Sequence, residues 1–358
     1  MRVTRWKPAL QTPGFIRDRF IPYGVPILSL LALLVIGWYM ANNFSTPDVC
    51  AKWSDLQDLD ISQSRYFALG IGINDYSQVD GYASLHTPAK DAKRILQILE
   101  TQYGFEPVQG PPNKDTIGSV LLISGSPNSE PTLDNIRRAL IVFASTLTET
   151  DALLVYYAGH GLGQKDDIFG KWIPQDGDTE SEYIDHWWLQ QICMQCNARH
   201  ILLVVDCCYS AKFINPGPTR GKPIYTIPPK PSEKQQDLLN WPSRQGIASG
   251  YYETVPDGEA HSPFAACCIH ALTKNTTAFM SASELFKDIL SCTEASKFAK
   301  KPFMAVIENT CDQQGEFFFK LRQDGSLYSL LLKEMRAQLT LCTRFSLRIA
   351  AQYGHQVP

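Results

Sequence analysis

Ala152-Leu153-Leu154-Val155-Tyr156-Tyr157-Ala158-Gly159-His160-Gly161 is the stretch on which the reading of this chain turns. A second stretch, Ile201-Leu202-Leu203-Val204-Val205-Asp206-Cys207-Cys208-Tyr209-Ser210-Ala211, has the same build. Each opens with a short, unbroken apolar run, the pattern of a strand buried on both faces of a parallel sheet. Each then passes into small and polar residues that carry chemistry. In an open parallel sheet, ligands bind outside the carboxyl ends of the strands. A histidine just past one strand and a cysteine just past another therefore meet at one rim. A cysteine nucleophile and its proton-transfer partner require that arrangement.

Outward from these two stretches the chain alternates between strands and helices. A strand at 66–73 precedes a helix at 88–102, and a strand at 117–124 ends at a Gly-Ser-Pro-Asn turn. Pro131-Thr132-Leu133-Asp134 opens a helix to Thr146, with Thr132 as its N-cap. Strands at 151–157 and 199–205 flank a helix at Tyr183 to Met194. Further on lie a strand at Gly246 to Gly250, helices at Ser262 to Leu272 and Ser281 to Leu290, and a strand at Phe303 to Ile307. Alternation of this length predicts an α/β fold, a mostly parallel sheet with right-handed crossovers. Residues 212–244 break the pattern: prolines recur with basic residues between them, so the stretch reads as a loop or linker.

The two stretches resemble the caspase-type cysteine peptidases, within them the metacaspase-like branch. Members carry a small-residue-Gly-His-Gly string after one strand and Asp-(small)-Cys-(His or Tyr)-Ser-Gly after the next core strand. On that pattern Cys208, second after Asp206, is the nucleophile, and the interval back to His160 is about the 50 residues seen in animal caspases. The likeness extends to Tyr66–Asn74, to Ala89-Lys90-Asp91-Ala92, to Trp172-Ile173-Pro174-Gln175-Asp176 and to Gly315-Glu316-Phe317-Phe318-Phe319. It implies a three-layer sandwich, a mostly parallel sheet between helices, over residues 65–319: a large-subunit-like part at 65–211, the linker at 212–244 and a small-subunit-like part at 245–319. It implies His160 and Cys208 as the catalytic pair, and the backbone N–H groups of Gly161 and Cys208 as an oxyanion hole. It also implies Asp91 and Asp206 as carboxylates that accept a substrate arginine or lysine. The stretch Ser84-Leu85-His86-Thr87 lacks the arginine with which animal caspases hold a substrate aspartate.

The chemistry fits these residue types. A thiolate rather than a thiol attacks a carbonyl, and a histidine beside it handles the proton. A carboxylate suits guanidinium through paired, charge-assisted hydrogen bonds. Cys193-Met194-Gln195-Cys196 lacks the four ligands of structural zinc and reads as a buried pair of thiols, and Cys207, Cys267 and Cys268 read as buried too. No cofactor or metal is implied. Calcium is the one ion that Asp166, Asp167, Asp176 and Asp178 bring into question, and their spacing is not that of an EF-hand loop. The expected partner is a protein or peptide substrate. A net charge of −3 without a long basic run argues against nucleic acid. A binding or scaffold module with a catalytically weak caspase-like domain is the alternative, and the intact histidine and cysteine favour the enzyme.

The N-terminus is of a different kind. Residues 1–20 are basic, and Val25 to Ala41 is apolar apart from Ser29. Counted from Ile21, the run is about 31 Å long as a helix, enough to cross a bilayer. Residues 21–41 are therefore expected to form one transmembrane helix, 42–64 a polar tether and 320–358 a C-terminal tail with a helix at 327–349. Arg2, Arg5, Lys7, Arg17 and Arg19 precede the span; Asp48, Asp55, Asp58 and Asp60 follow it. The positive-inside rule then keeps the N-terminus cytoplasmic and the catalytic domain outside. Ten cysteines without the spacing of a secreted disulfide framework point the other way, toward free thiols. The basic residues Arg220, Lys222, Lys230, Lys234 and Arg244 in the linker match the expected specificity, so the enzyme is expected to cut itself there.

Overall fold

The computed structural model describes residues 50, 53, 64–110, 117–163, 170–214, 235–250, 257–296 and 301–322. The expected transmembrane helix, most of the tether and linker, and the C-terminal tail lie outside these residues. Among the described residues no helix is long and apolar enough to cross a membrane.

Among the described residues twelve strands and six α-helices follow in chain order. They are β1 (Tyr66–Gly72), α1 (Pro88–Tyr103), β2 (Val108–Gln109), β3 (Ser119–Ile123), α2 (Leu133–Thr146), β4 (Ala152–Ala158), β5 (Gly161–Leu162), β6 (Lys171–Trp172), β7 (Ile184–Asp185), α3 (His186–Gln195) and β8 (His200–Asp206). After these come α4 (Gln235–Asn240), β9 (Ser243–Ala248), α5 (Pro263–Lys274), β10 (Phe279–Ser281), α6 (Ala282–Ala295), β11 (Phe303–Val306) and β12 (Phe318–Lys320). Seven strands form one sheet in the order β11-β9-β8-β4-β1-β3-β2. Every neighbour pair is parallel except β9 with the edge strand β11.

Period-two alternation sorts the strand side chains between two cores. Phe67, Leu69, Ile71, Leu153, Val155, Tyr157, Ile201, Leu203 and Val205 pack against α2 and α3. Ala68, Leu154, Tyr156, Leu202 and Val204 pack against α1, α5 and α6. Each fully buried Leu, Val or Phe contributes about 1.5–3 kcal/mol. The chain steps from β1 to β3 in one direction and from β3 back past β1 to β4 in the other. Crossovers of one hand then put α1 and α2 on opposite faces, as found. Ligands bind where the strand order reverses, so the crevice at the carboxyl ends of β1 and β4 is the expected site. Gly72 lets α1 close on that end of β1: a Cβ there would lie 2.4 Å from the Pro88 carbonyl oxygen.

Several boundaries differ from the sequence reading. Thr132 caps α2, its hydroxyl accepting from the Asn135 N–H at 3.3 Å. The helix expected from Tyr183 starts only at His186, because Asp185 takes the N-cap role and accepts from the Trp188 N–H at 2.7 Å. The expected linker span 212–244 contains α4 and the first two residues of β9. Arg244 is fully buried in β9, its guanidinium donating to the carbonyl oxygens of Arg199 and Ser243 at 2.7 and 2.9 Å, so it is no cleavage site. The expectation of free thiols fails for four cysteines. Cys50 bonds Cys311, and Cys267 bonds Cys292. Partners 261 and 25 residues apart leave no spacing signature. Cys193, Cys196, Cys207 and Cys268 are buried thiols, as expected.

Candidate active site

His160 leaves the end of β4 and is clamped through its backbone. Its N–H donates to the Tyr76 hydroxyl at 2.8 Å, and its carbonyl oxygen accepts from the Tyr157 hydroxyl at 2.7 Å. The Tyr76 hydroxyl in turn donates to the Ile173 carbonyl at 3.2 Å. Tyr157 stacks on Trp172 of β6 with ring centroids 4.3 Å apart. The imidazole lies between Tyr76 and Tyr82, at centroid distances of 4.5 and 5.1 Å. Its Nε2 is 2.7 Å from the Ala83 carbonyl oxygen. A carbonyl only accepts, so Nε2 carries the hydrogen and Nδ1 is left as the basic nitrogen. Burial holds the His160 pKa below its ordinary value, partly offset by the Ala83 carbonyl and the Asp257 carboxylate. The ring is accordingly neutral at pH 7, the state a proton acceptor needs.

Cys208 follows β8, the neighbour of β4. Tyr209 behind it takes the left-handed backbone conformation, φ 56°, an uncommon state for a large side chain and the mark of a tightly held turn. A short 3₁₀ turn, Ser210–Phe213, then starts. The second half of the chain holds this turn. The Ser210 hydroxyl donates to the Gly250 carbonyl at 3.0 Å, and the Ala211 N–H donates to the same oxygen at 3.2 Å. Cys207 is buried and its thiol pKa is pushed well up by that burial, whereas Cys208 is half-buried; both line the cleft. Gly161 in β5 lies against both: a Cβ would come 2.4 Å from the Cys208 carbonyl oxygen and 2.7 Å from the Cys207 sulfur.

Beside this pair the cleft holds three carboxylates. It is solvent-open, with about 410 Å³ of space counted out into solvent, and is lined in part by Asp91, Gly159, His160, Asp206, Cys207, Cys208, Asp257 and Ser262. Asp91, on the first turn of α1, is buried, and both of its oxygens are engaged. Oδ1 meets His261 Nδ1 at 2.5 Å, and Oδ2 accepts from the Ser262 N–H at 3.1 Å. Its pKa is raised by burial, with those two partners opposing. Asp257 is engaged as well, by the His86 N–H and by the Thr87 N–H and hydroxyl at 3.1 and 2.6 Å. Asp206, at the end of β8, differs. Ser262 donates its hydroxyl to Oδ2, but Oδ1 is buried with no hydrogen-bond partner. Burial pushes the Asp206 pKa up to about 7, with the Asp91 and Asp257 carboxylates adding to it and the Ser262 and Ser249 hydroxyls opposing. A buried carboxylate oxygen of this kind, beside two further carboxylates, has the chemistry to accept charge-assisted hydrogen bonds.

The caspase domain family model matches residues 65–312. The chain belongs to the caspase domain family. The sheet, the helices on its two faces and the cleft at the β1–β4 rim are thus a caspase-type domain. A curated relative, metacaspase-1A of Neurospora crassa, is 30% identical over 119 residues, 33% of this chain and 22% of that protein. The chain therefore aligns with about a fifth of the relative's length. A solved structure, protein GSU0716 from Geobacter sulfurreducens, is similar over 70% of this chain and 97% of its own, with 15% identity and a TM-score of 0.47.

The predicted site residues His160, Gly161, Cys208, Asp91 and Asp206 all gather at this one rim of the caspase-type domain. Asp257 and the Ala83 carbonyl are absent from the sequence reading, and Ser262 appears there only as a helix start. A backbone oxygen has no sequence signal, and Asp257 and Ser262 lie beyond the linker in a segment whose fold contacts are non-local. Of the acidic residues weighed for calcium, Asp176 accepts from the Leu133 N–H at 2.7 Å and so caps α2, while Asp166 and Asp167 lie outside the described residues.

Proposed function

We propose that this caspase-family chain is a cysteine endopeptidase that cuts after arginine or lysine. The observation that carries the reading is the single cleft in which Cys208 and His160 adjoin the unpaired Asp206 oxygen. In this mechanism His160 Nδ1 takes the Cys208 thiol proton, and the thiolate attacks the scissile carbonyl carbon. The carbonyl oxygen becomes an oxyanion, to which the Gly161 and Cys208 N–H groups donate. His160 returns the proton to the leaving amine as the C–N bond breaks, giving a thioester. Water then adds with His160 as base, the C–S bond breaks, and the acid and thiol are regenerated. Ala83 fixes the imidazole tautomer throughout. Asp206 receives the P1 cation, and Asp91 and Asp257 add negative potential around it.

The same reading places the domain outside the cytoplasm on the transmembrane helix at 21–41. The charge flanks support this, and so do two disulfides among the described residues, since such bonds persist in oxidising compartments. The test is turnover of matched peptides with Arg, Lys or Asp at P1, with Cys208→Ala as the control. Cleavage of Arg and Lys peptides that disappears in the control is expected. Preference for P1 Asp would overturn the specificity. Binding of Arg peptides without turnover would leave a binding module instead.

A further inference from the structure

Cys50 and Trp53 are the first described residues of the chain, and both dock on its second half. Cys50 bonds Cys311, which follows β11. Trp53 is buried, its N–H donating to the Cys50 carbonyl at 3.1 Å, and its ring lies 5.4 Å from the buried Arg244 guanidinium carbon of β9. The segment around Cys311 is tied to the same edge of the sheet. Asp312 accepts from the Arg244 N–H at 2.7 Å, and the Gln313 N–H donates to the Pro242 carbonyl at 3.0 Å. Arg244 and Cys311 both come after the proline-rich stretch, whereas β1 to β8 come before it.

We propose that Cys50, with Trp53 docked beside it, is a covalent strap that keeps the two halves of the domain in one molecule when the chain is cut between Ile214 and Gln235. A cut there leaves one fragment with Cys50, Asp91, His160, Asp206 and Cys208, and another with Asp257, Ser262 and Cys311. Across the cut, β8 pairs with β9 by hydrogen bonds alone, and among the described residues the Cys50–Cys311 bond is the covalent link. Cys267–Cys292 joins α5 to α6 within the second fragment and cannot substitute for it. The pocket is shared between the fragments, because Ser262 holds both Asp91 and Asp206. Losing the second fragment would dismantle it. The strap makes reassociation intramolecular and independent of dilution. It also keeps both fragments attached to whatever the N-terminal segment is attached to.

The test needs no peptidase activity, so its outcome is separate from that of the proposed function. The full chain carrying Cys208→Ala receives a foreign protease's recognition sequence within residues 215–234 and is cut with that protease. It is then denatured with an alkylating agent that traps thiols. Electrophoresis without reductant is expected to give one band of full length. A dithiol reductant donates two electrons and two protons to the S–S bond, itself closing to a cyclic disulfide, and should shift the protein completely to two bands. Cys50→Ser in the same background should give two bands under both conditions. Should that variant fail to fold, peptide mapping of the uncut chain without reductant decides: a Cys50 peptide linked to a Cys311 peptide supports the strap. Separation of the cut chain without reductant, or Cys50 recovered alkylated or linked elsewhere, overturns it.

Discussion

Replacing Asp206 by asparagine should make the protein more stable and the proposed enzyme much worse. The folded Asp206 pKa of about 7 lies above its ordinary value of 3.8. Between those values the folded chain holds a proton that the unfolded chain has lost. The stability tied to this group is therefore full below about pH 4, falls as pH rises, and is lost above about pH 7. A shift of roughly three units corresponds to about 4 kcal/mol. Asparagine never ionises and still offers the Ser262 hydroxyl an oxygen, at a loss of about 1 kcal/mol because the acceptor is no longer charged. At pH 8 Asp206→Asn should thus stabilise by about 3 kcal/mol; at pH 4 the two proteins should agree within about 1 kcal/mol. For a P1 arginine the variant loses one member of a buried charge pair, about 2–5 kcal/mol, or roughly 30- to 5,000-fold in kcat/KM. Urea unfolding at the two pH values, in the Cys208→Ala background, and peptide kinetics in the active background measure both effects. An Asp206→Asn protein less stable at pH 8 would mean that the carboxylate braces the loop. Unchanged P1 Arg kinetics would mean that the cation binds elsewhere.

Three further outcomes are expected. Cys208→Ala should abolish turnover while Cys207→Ala, which removes a buried thiol beneath the cleft, keeps most of it; the reverse result in a peptidase assay would reassign the nucleophile. His160→Ala should lose nearly as much as Cys208→Ala, and the double variant no more, because the pair acts as one unit; a double variant far slower than either single would contradict that coupling. Gly161→Ala must push the Cys208 carbonyl, 2.4 Å from the new methyl, and the Cys207 sulfur. The cost should be about 1–3 kcal/mol in thermal unfolding, with a larger fractional loss in kcat; a variant with unchanged melting temperature and kcat would show that the two loops are not in register.

How much of this was legible in the sequence depended on whether a signal is local. The runs at 152–158 and 201–205 are apolar on both faces, so they announce buried parallel strands, and the residues after them inherit the rim. Thr132 before Leu133 announces a helix start by its own hydroxyl. The position of Cys208 after Asp206 is a local signal that favours it over Cys207, and the structure adds only that Cys207 is the more buried of the two. Asp257 was illegible for a physical reason: its partners are the backbone N–H groups of His86 and Thr87 and the Thr87 hydroxyl, 170 or so residues earlier, and nothing near Asp257 in the chain marks that pairing. Strand β9 was cut short because Ser-Arg-Gln-Gly is polar. All six of its residues are nonetheless buried, Arg244 donating from its two Nη atoms to carbonyl oxygens and Gln245 donating to Glu316. Hydrophobic periodicity cannot find a strand whose burial rests on hydrogen bonding.

The second half of the chain contributes none of the proposed nucleophile, base or oxyanion donors, yet it sets the frame in which they work. Asp257 fixes the backbone at His86 and Thr87, which leads into α1 and so to Asp91. Ser262 couples three things through one residue: its N–H holds Asp91, its hydroxyl donates to Asp206, and the same oxygen accepts from the Ala265 N–H to start α5. The Gly250 carbonyl holds the turn behind Cys208. A cut within residues 215–234 would leave Cys208, His160, Asp91 and Asp206 on one fragment and Asp257 and Ser262, which hold those carboxylates and the backbone before α1, on the other. Retention of the second fragment is then a condition for selective cleavage in the proposed mechanism. That gives the Cys50–Cys311 bond, far from the cleft, a consequence at the P1 pocket.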